Sequence, residues 1–181
     1  MTVNVHVKVD SGMNRIGFQY QDLERDKSAL DEMEQVCRMP GLFPEGIFTH
    51  FAVSDEGEDG ERYTMRQYGC FKEAIEDLER RGIHFPLRHC ANSGAVIDYP
   101  ELHLDMVRPG VILYGLLPSG KMRRHLDLIP AMEFKTVISL RKRVEAGTHV
   151  SYGCEYEAKT PRVIATVPVG YADGYPRALH D

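Results

Sequence analysis

Valine occupies positions 3, 5, 7 and 9, and Asn4, His6, Lys8 and Asp10 fill the positions between and after them. Strict period-two alternation of a β-branched residue predicts a strand over 3–10. Ser11-Gly12-Met13-Asn14 then turns the chain. Gln21 to Met39 reads as an amphipathic helix with an inner stripe of Leu23, Leu30, Met33 and Val36, stopped by Pro40-Gly41. Leu42 to Ala52 is a second apolar stretch, containing GIFTHFA, and it runs into the acidic loop Ser54 to Gly60. A second helix is expected from Glu61 to Arg81, ended by Gly82. Ile83 to Cys90 is a third strand candidate. Asn92-Ser93-Gly94-Ala95 opens a short helix that stops at Pro100, and His103 to Val107 is a short fourth strand before Arg108-Pro109-Gly110.

Strands and helices therefore alternate, and repeated βα units imply a parallel sheet. The texture changes after Leu117. Pro118 to Pro130 is a polar, basic connection, and from Ala131 the pattern is strand-like without helices: MEFKTVISLRKRV, HVSYG and RVIATVPVGY. The reading is an α/β domain over 1–120 and the start of a β-rich domain over 121–181.

Composition narrows the function classes. The chain of 181 residues carries 27 acidic and 22 basic residues, net -5, which argues against a general nucleic-acid binder. No run of about 18 apolar residues marks a membrane span, and the alternating start does not read as a signal peptide. Cys37, Cys70, Cys90 and Cys154 stand far apart with no CxxC pair. That argues against a zinc knuckle and a disulfide scaffold, and fits a reducing cytoplasm.

In parallel α/β architectures the reactive groups lie just past the C-terminal ends of strands. Arg15, His50, Asn92-Ser93 and Arg108 with Gly110 all stand at such places. Lys8 on the polar face of the first strand needs a reason, because a buried ammonium is costly unless paired; an ion pair with Asp10, or an exposed edge strand, would supply one. Arg15 alone also fits a solvated loop, and His50 a hydrogen-bonded structural histidine. Asn92-Ser93 offers free N–H groups and a hydroxyl to an anion, or an ordinary N-cap. Arg108-Pro109-Gly110-Val111 combines a fixed φ with a close backbone approach, suited to a second set of donors or to a tight loop. Tyr171 lies in the turn-rich GYADGYPR; a tyrosine titrates near pH 10 and acts as a base only where cations lower that value.

Taken together, VHVKVDSGMNRIGF, GIFTHFAVSDE, HCANSGAV, VRPGVILYG, PAMEFKTVIS…VSYG and VPVGYADGYPR resemble the alanine racemases, in family order from residue 3 to residue 177. The resemblance implies the C-terminal portion of a TIM-type (β/α)8 barrel followed by the start of a β-rich domain. It implies pyridoxal 5'-phosphate as cofactor, alanine as substrate, a cytoplasmic homodimer with active sites at the subunit interface, and supply of D-alanine for peptidoglycan. The reaction implied is two-base interconversion of L- and D-alanine through a pyridoxal-phosphate aldimine.

By the same resemblance Tyr171 moves the Cα proton on one face and contacts substrate. Arg108 faces the pyridine nitrogen and His50 adjoins the cofactor. Ser93, Gly110 and Val111 form the phosphate cradle, with Asn92 beside it. Arg15 contacts the cofactor phenolate oxygen and the substrate carboxylate, and Lys8 matches a lysine carbamylated in some members. No metal is implied. Asn14 stands where the family has glycine, a small change because asparagine tolerates left-handed geometry. None of the seven lysines sits in a stretch resembling VKANAYGHG, the family's setting for the Schiff-base lysine. The chain thus reads as a partial sequence, inactive alone, with a racemase of another small amino acid such as serine, or a noncatalytic cofactor-binding fragment, as the alternatives.

Overall fold

A computed structural model describes every residue except Leu23, His180 and Asp181. The chain divides into two compact units, Met1–Ala131 and Met132–Asp181. Leu23, expected on the inner stripe of the first helix, lies outside the described residues.

The first unit opens with β1 (Val3–Asp10), which takes the expected strand conformation. Val7 and Val9 are buried to 4% and 0% exposure, so the valine face meets the core. A two-residue strand, β2 (Phe18–Gln19), follows and pairs with β1 in parallel. Helix α1 (Ser28–Cys37) starts seven residues later than its pattern suggests. Residues before it are held in turns: the Asp26 carboxylate accepts from the N–H groups of Gln21 and Asp22, and that of Asp22 from those of Glu24 and Arg25. Short carboxylate side chains compete in this way with helical hydrogen bonding.

Strand β3 (Leu42–Phe48), helix α2 (Glu58–Arg80) and strand β4 (Leu87–His89) come next. The β3 and β4 pairings are shorter than the apolar stretches that announced them. Helix α2 instead begins earlier, inside the expected acidic loop; Glu58, Asp59 and Glu61 occupy its first turn, where the helix dipole favours negative charge. Its buried stripe is Gly60, Thr64, Gln67, Phe71, Ala74 and Leu78, the three-four spacing of one helix face. Helix α3 (Ser93–Asp98) begins where the sequence places it, with the Asn92 side chain accepting from Ala95 N–H at 3.1 Å.

All four strands run parallel in the order β2-β1-β3-β4. Successive long strands are neighbours, and α1 packs against both α2 and β3, so the crossovers cover one face. Helices on a single face are the arrangement of a βα barrel, as opposed to a doubly wound sheet. The opposite face carries His6 and Lys8 in register with Gly46 and Phe48, and Phe48 in register with His89. A bulge inserts Glu45 between Pro44, opposite Val5, and Gly46, opposite His6. Only glycine fits at 46, because a Cβ there would lie 2.5 Å from His6 Nδ1 and 2.9 Å from the Leu87 carbonyl oxygen.

The expected fourth strand over His103 to Val107 does not form. Leu104 takes φ +53°, and the Asp105 carboxylate captures the Arg88 N–H at 2.9 Å that a ladder partner would have used. The segment still runs beside β4 through Asp105 N–H to Arg88 carbonyl (3.1 Å) and Arg108 N–H to Ala91 carbonyl (2.9 Å). The division between units after Ala131 lies at the far end of the Pro118–Pro130 connection, where the strand-like pattern begins. The basic connection is anchored to the first unit: Arg123 and Arg124 N–H groups bond the buried Asp98 carboxylate, both at 2.9 Å, and the Arg123 guanidinium lies 4.5 Å over the Tyr99 ring.

In the second unit β5 (Leu140–Val144) pairs antiparallel with β8 (Arg162–Thr166), and the short β6 (His149–Val150) with β7 (Tyr156–Glu157). Residues 132–139, expected as part of a long strand, do not pair as one. All four cysteines are free; Cys37, Cys70 and Cys90 are buried and Cys154 is exposed. Among the described residues no helix is long and apolar enough to cross a membrane.

Candidate active site

Arg108 is the centre of the polar face of the first unit. Its Nη2 donates to the Thr49 carbonyl at 2.7 Å and lies 3.4 Å from His50 Nδ1; its Nη1 donates to His89 Nδ1 at 2.6 Å. The guanidinium also lies 5.3 Å from the centre of the Phe48 ring, on which His89 stacks at 5.0 Å. Each acceptor is neutral, so no carboxylate cancels the charge. Among the described residues nothing accepts from Arg108 Nε, and Nη1 has the single acceptor His89 Nδ1, which leaves donors of the fork available.

The two flanking imidazoles are uncharged at neutral pH. Burial, then the charge of Arg108, lowers His50 to about 4, with Arg15 and Lys8 adding to the effect. Burial, Arg108 and His6 lower His89 to about 4. Arginine can only donate, so His89 Nδ1 is an acceptor and the ring proton sits on Nε2. That proton points at His6 Nδ1, 2.8 Å away, which places the His6 proton on Nε2, 3.3 Å from Glu45 Oε2. Arg108, His89, His6 and Glu45 thus form one directional chain of hydrogen bonds. Sequence reading found Arg108 and missed the other three. His6 and His89 lie 83 residues apart, and only the sheet register brings them together.

Arg15 and Lys8 supply further positive charge. Arg15 is exposed in the turn after β1. Lys8 is half-buried, and desolvation together with Arg15 lowers its amine below the usual lysine value, against a smaller opposing effect of Asp10. Its ammonium lies 5.9 Å over the Phe48 ring. Of the two structural explanations for Lys8 the ion pair fails: the Asp10 carboxylate accepts from Gly12 and Asn14 N–H at 3.1 and 2.9 Å. On its other side β1 pairs with β2 only at Val9 and Asp10, so Lys8 stands in a stretch paired with β3 alone. Among the described residues Lys8 has no ion-pair partner within 4.0 Å. Asn14 takes φ +57°, the left-handed geometry expected of it.

Ser93 and Gly110 meet: the Ser93 hydroxyl accepts from Gly110 N–H at 2.8 Å. Val111 opens a short 3-10 turn, Val111–Tyr114, whose first N–H groups have no intrahelical acceptor. Asn92 is engaged in structure. Besides the cap, its Oδ1 accepts from Ser54 Oγ at 2.6 Å and its Nδ2 donates to the Phe51 carbonyl at 3.2 Å. Tyr171 belongs to the second unit, in the turn Tyr171–Asp173, and is 77% exposed.

This donor set suits a flat aromatic ligand with an anionic end. Hydroxyl and backbone N–H donors stand at one place, and an uncompensated guanidinium beside neutral rings at another. Among the described residues no cluster of histidine, cysteine and carboxylate groups could hold a metal ion.

Residues 1–118 match the family model described as "Alanine racemase, N-terminal domain", and residues 131–181 that described as "Alanine racemase, C-terminal domain". The chain is 49% identical to the alanine racemase of Desulforamulus reducens over 97% of its own length and 46% of that protein. With the alanine racemase of Clostridium tetani it shares 46% identity over 98% of its length and 44% of the relative. Among solved structures it is similar to an alanine racemase of Clostridium difficile 630, with TM-score 0.86 and 40% identity over 97% of this chain and 44% of that one. A Bacillus anthracis alanine racemase with bound L-Ala-P gives TM-score 0.78 and 37% identity, over 96% and 44%. The chain spans less than half the length of each of these relatives.

Proposed function

The chain belongs to the alanine racemase family, and we propose that the full-length protein interconverts L- and D-alanine with pyridoxal 5'-phosphate. Its fold is the barrel portion and the start of the β domain of that family. The observation that carries the proposal is Arg108, held by neutral acceptors between His50 and His89, two residues along the chain from the glycine of the Ser93–Gly110 pair. In this reading Ser93, Gly110 and Val111 hold the phosphate, and Asn92 shapes the turn that presents Ser93. Arg108 faces the pyridine nitrogen, and His50 adjoins the ring.

Bound there, the cofactor would supply an electron-withdrawing ring that acidifies the Cα–H of the amino acid. Arg108 does not release a proton to the ring nitrogen, which keeps that withdrawal moderate and favours proton return over transamination. Arg15 binds the substrate carboxylate. Tyr171, from a second copy of the chain, takes or delivers the proton at Cα on one face. The lysine that serves the other face belongs to a family stretch outside these 181 residues. The lowered amine of Lys8 favours its neutral form. Its Nζ would bond the carbon of CO₂ and release a proton, giving a carbamate that orients Arg15. The proposed setting is a cytoplasmic homodimer that supplies D-alanine for peptidoglycan.

The test is to express the full-length protein and incubate it with L-alanine and the cofactor. Formation of D-alanine is expected. Racemisation of serine without that of alanine would reassign the substrate. Cofactor binding without turnover of any small amino acid would leave a noncatalytic binding protein.

A further inference from the structure

One turn of α2 fastens both loops that carry the site. Gln67 is wholly buried, at 0% exposure. Both ends of its amide are used: Nε2 donates to the His50 carbonyl at 3.1 Å, and Oε1 accepts from the Ala52 N–H at 2.9 Å. Four residues earlier, the Tyr63 hydroxyl donates to the Gly12 carbonyl at 2.8 Å. Gly12 lies at φ +139°, and a Cβ there would come within 2.8 Å of that hydroxyl and 3.3 Å of Gln67 Cγ. The two loops are joined as well, through Ser11 Oγ and Thr49 Oγ1 at 2.7 Å. The next link is the Thr49 carbonyl, which accepts from Arg108.

Gln67 occupies a stripe position between Thr64 and Phe71 where an apolar residue of equal length would fill the same space. Burying an amide is costly unless its donor and acceptor are both satisfied. What glutamine adds there is the pair of bonds to residues 50 and 52. We infer that Gln67 and Tyr63 form a clamp. Gln67 is a positioning residue for His50 and, through Thr49, for Arg108, and Tyr63 is one for the turn that leads to Arg15. The inference rests on the proposed function in assigning His50, Arg108 and Arg15 to the reaction.

The experiment uses the full-length protein, labelled with ¹⁵N, without and with pyridoxal 5'-phosphate. Gln67→Met keeps length and loses both bonds. It is expected to shift the His50 ring signals, to speed exchange of the Ala52 amide about tenfold, and to weaken cofactor binding and kcat/KM. Phe71→Leu, a variant of the same helix face whose side chain makes no hydrogen bond to either loop, serves as the control for lost packing. It is expected to lower Tm without moving the His50 signals. Tyr63→Phe removes a single hydroxyl from a half-buried residue and is expected to shift the amide signals of Gly12 to Arg15. Unchanged His50 and Ala52 signals in Gln67→Met, or equal changes in Phe71→Leu, would overturn the clamp, as would unmoved Gly12–Arg15 signals in Tyr63→Phe. These signals are read without turnover. A protein that shows them and fails to racemise alanine keeps the clamp and loses the racemase reading.

Discussion

In the first unit Phe71, Ile47 and Leu78 are fully buried and Phe51 and Tyr99 are 1% exposed, while among the described residues of the second unit only Val144 and Ala158 are buried apolar positions. The second unit instead exposes Tyr152 to 95%, Met132 to 82% and Tyr171 to 77%. Both units satisfy backbone groups with ladders, but one has a core beneath its sheet and the other has paired strands with little under them. Isolated two-stranded pairings are marginal in water. The contrast shows that an alternating apolar pattern specifies which face a strand will bury without supplying anything to bury it against. It also locates the chemistry. The polar chain from Arg108 to Glu45 can be held to fixed distances because the opposite face of the same sheet is packed.

The comparison is sharpest at single core positions. Phe71→Ala should destabilise the first unit by about 3–5 kcal/mol, and Val163→Ala, at a position 52% exposed, should change stability by less than about 0.5 kcal/mol. Urea unfolding of the two variants measures the difference, and similar losses would erase the distinction between the units.

Acid provides a milder probe of the first unit. His50 and His89 titrate at about 4 when folded, against 6.5 when unfolded. Between those values the unfolded chain binds more protons, so stability falls as the pH drops from 6.5 towards 4, and these rings add no slope above 6.5. Asp26, held at about 2 chiefly by the Arg25 side chain and the Gln21 N–H, acts in a lower window, losing its contribution from 3.8 downwards. Unfolding midpoints measured between pH 7 and pH 4 should decline; a flat profile would mean that the two rings are charged in the native state.

The smallest effect is expected at the outer end of the hydrogen-bond chain. Glu45→Ala removes the acceptor of the His6 Nε2 proton, and with Glu45 part-exposed the stability cost should stay below about 1 kcal/mol. The informative readout is ¹⁵N tautomer assignment. His6 should become a mixture of tautomers, and His89 should keep its proton on Nε2 because Arg108 still donates to Nδ1. A flipped His89 would show that the direction of the chain is set from the carboxylate end.

Much of this was legible in residues and their neighbours. The valines of β1 announced both a strand and its buried face, Asn92 announced a cap, and Asn14 a left-handed turn. Each is a local property, set by side-chain branching or by a short hydrogen bond. The late start of α1 was hidden because Asp22 and Asp26 read equally as helix surface and as turn formers. The missing strand over 103–107 turned on Leu104 adopting a positive φ, which its sequence does not advertise. His6, His89 and Glu45 were invisible as a group, since what joins them is register across three strands and a bulge at Glu45. Lys8 and Tyr171 were visible as unusual residues, a cation on the polar face of a strand and a tyrosine in a turn-rich segment, but the roles expected of them came through resemblance, not through local chemistry.

The distribution of sulfur has a practical use. Burial holds the thiols of Cys37, Cys70 and Cys90 above their ordinary range, Cys90 up to about 12, and Cys154 is the exposed one. A maleimide dye should therefore label the chain at one place without engineering. Its fluorescence would report on the β-rich portion alone, while the barrel portion stays dark until it unfolds.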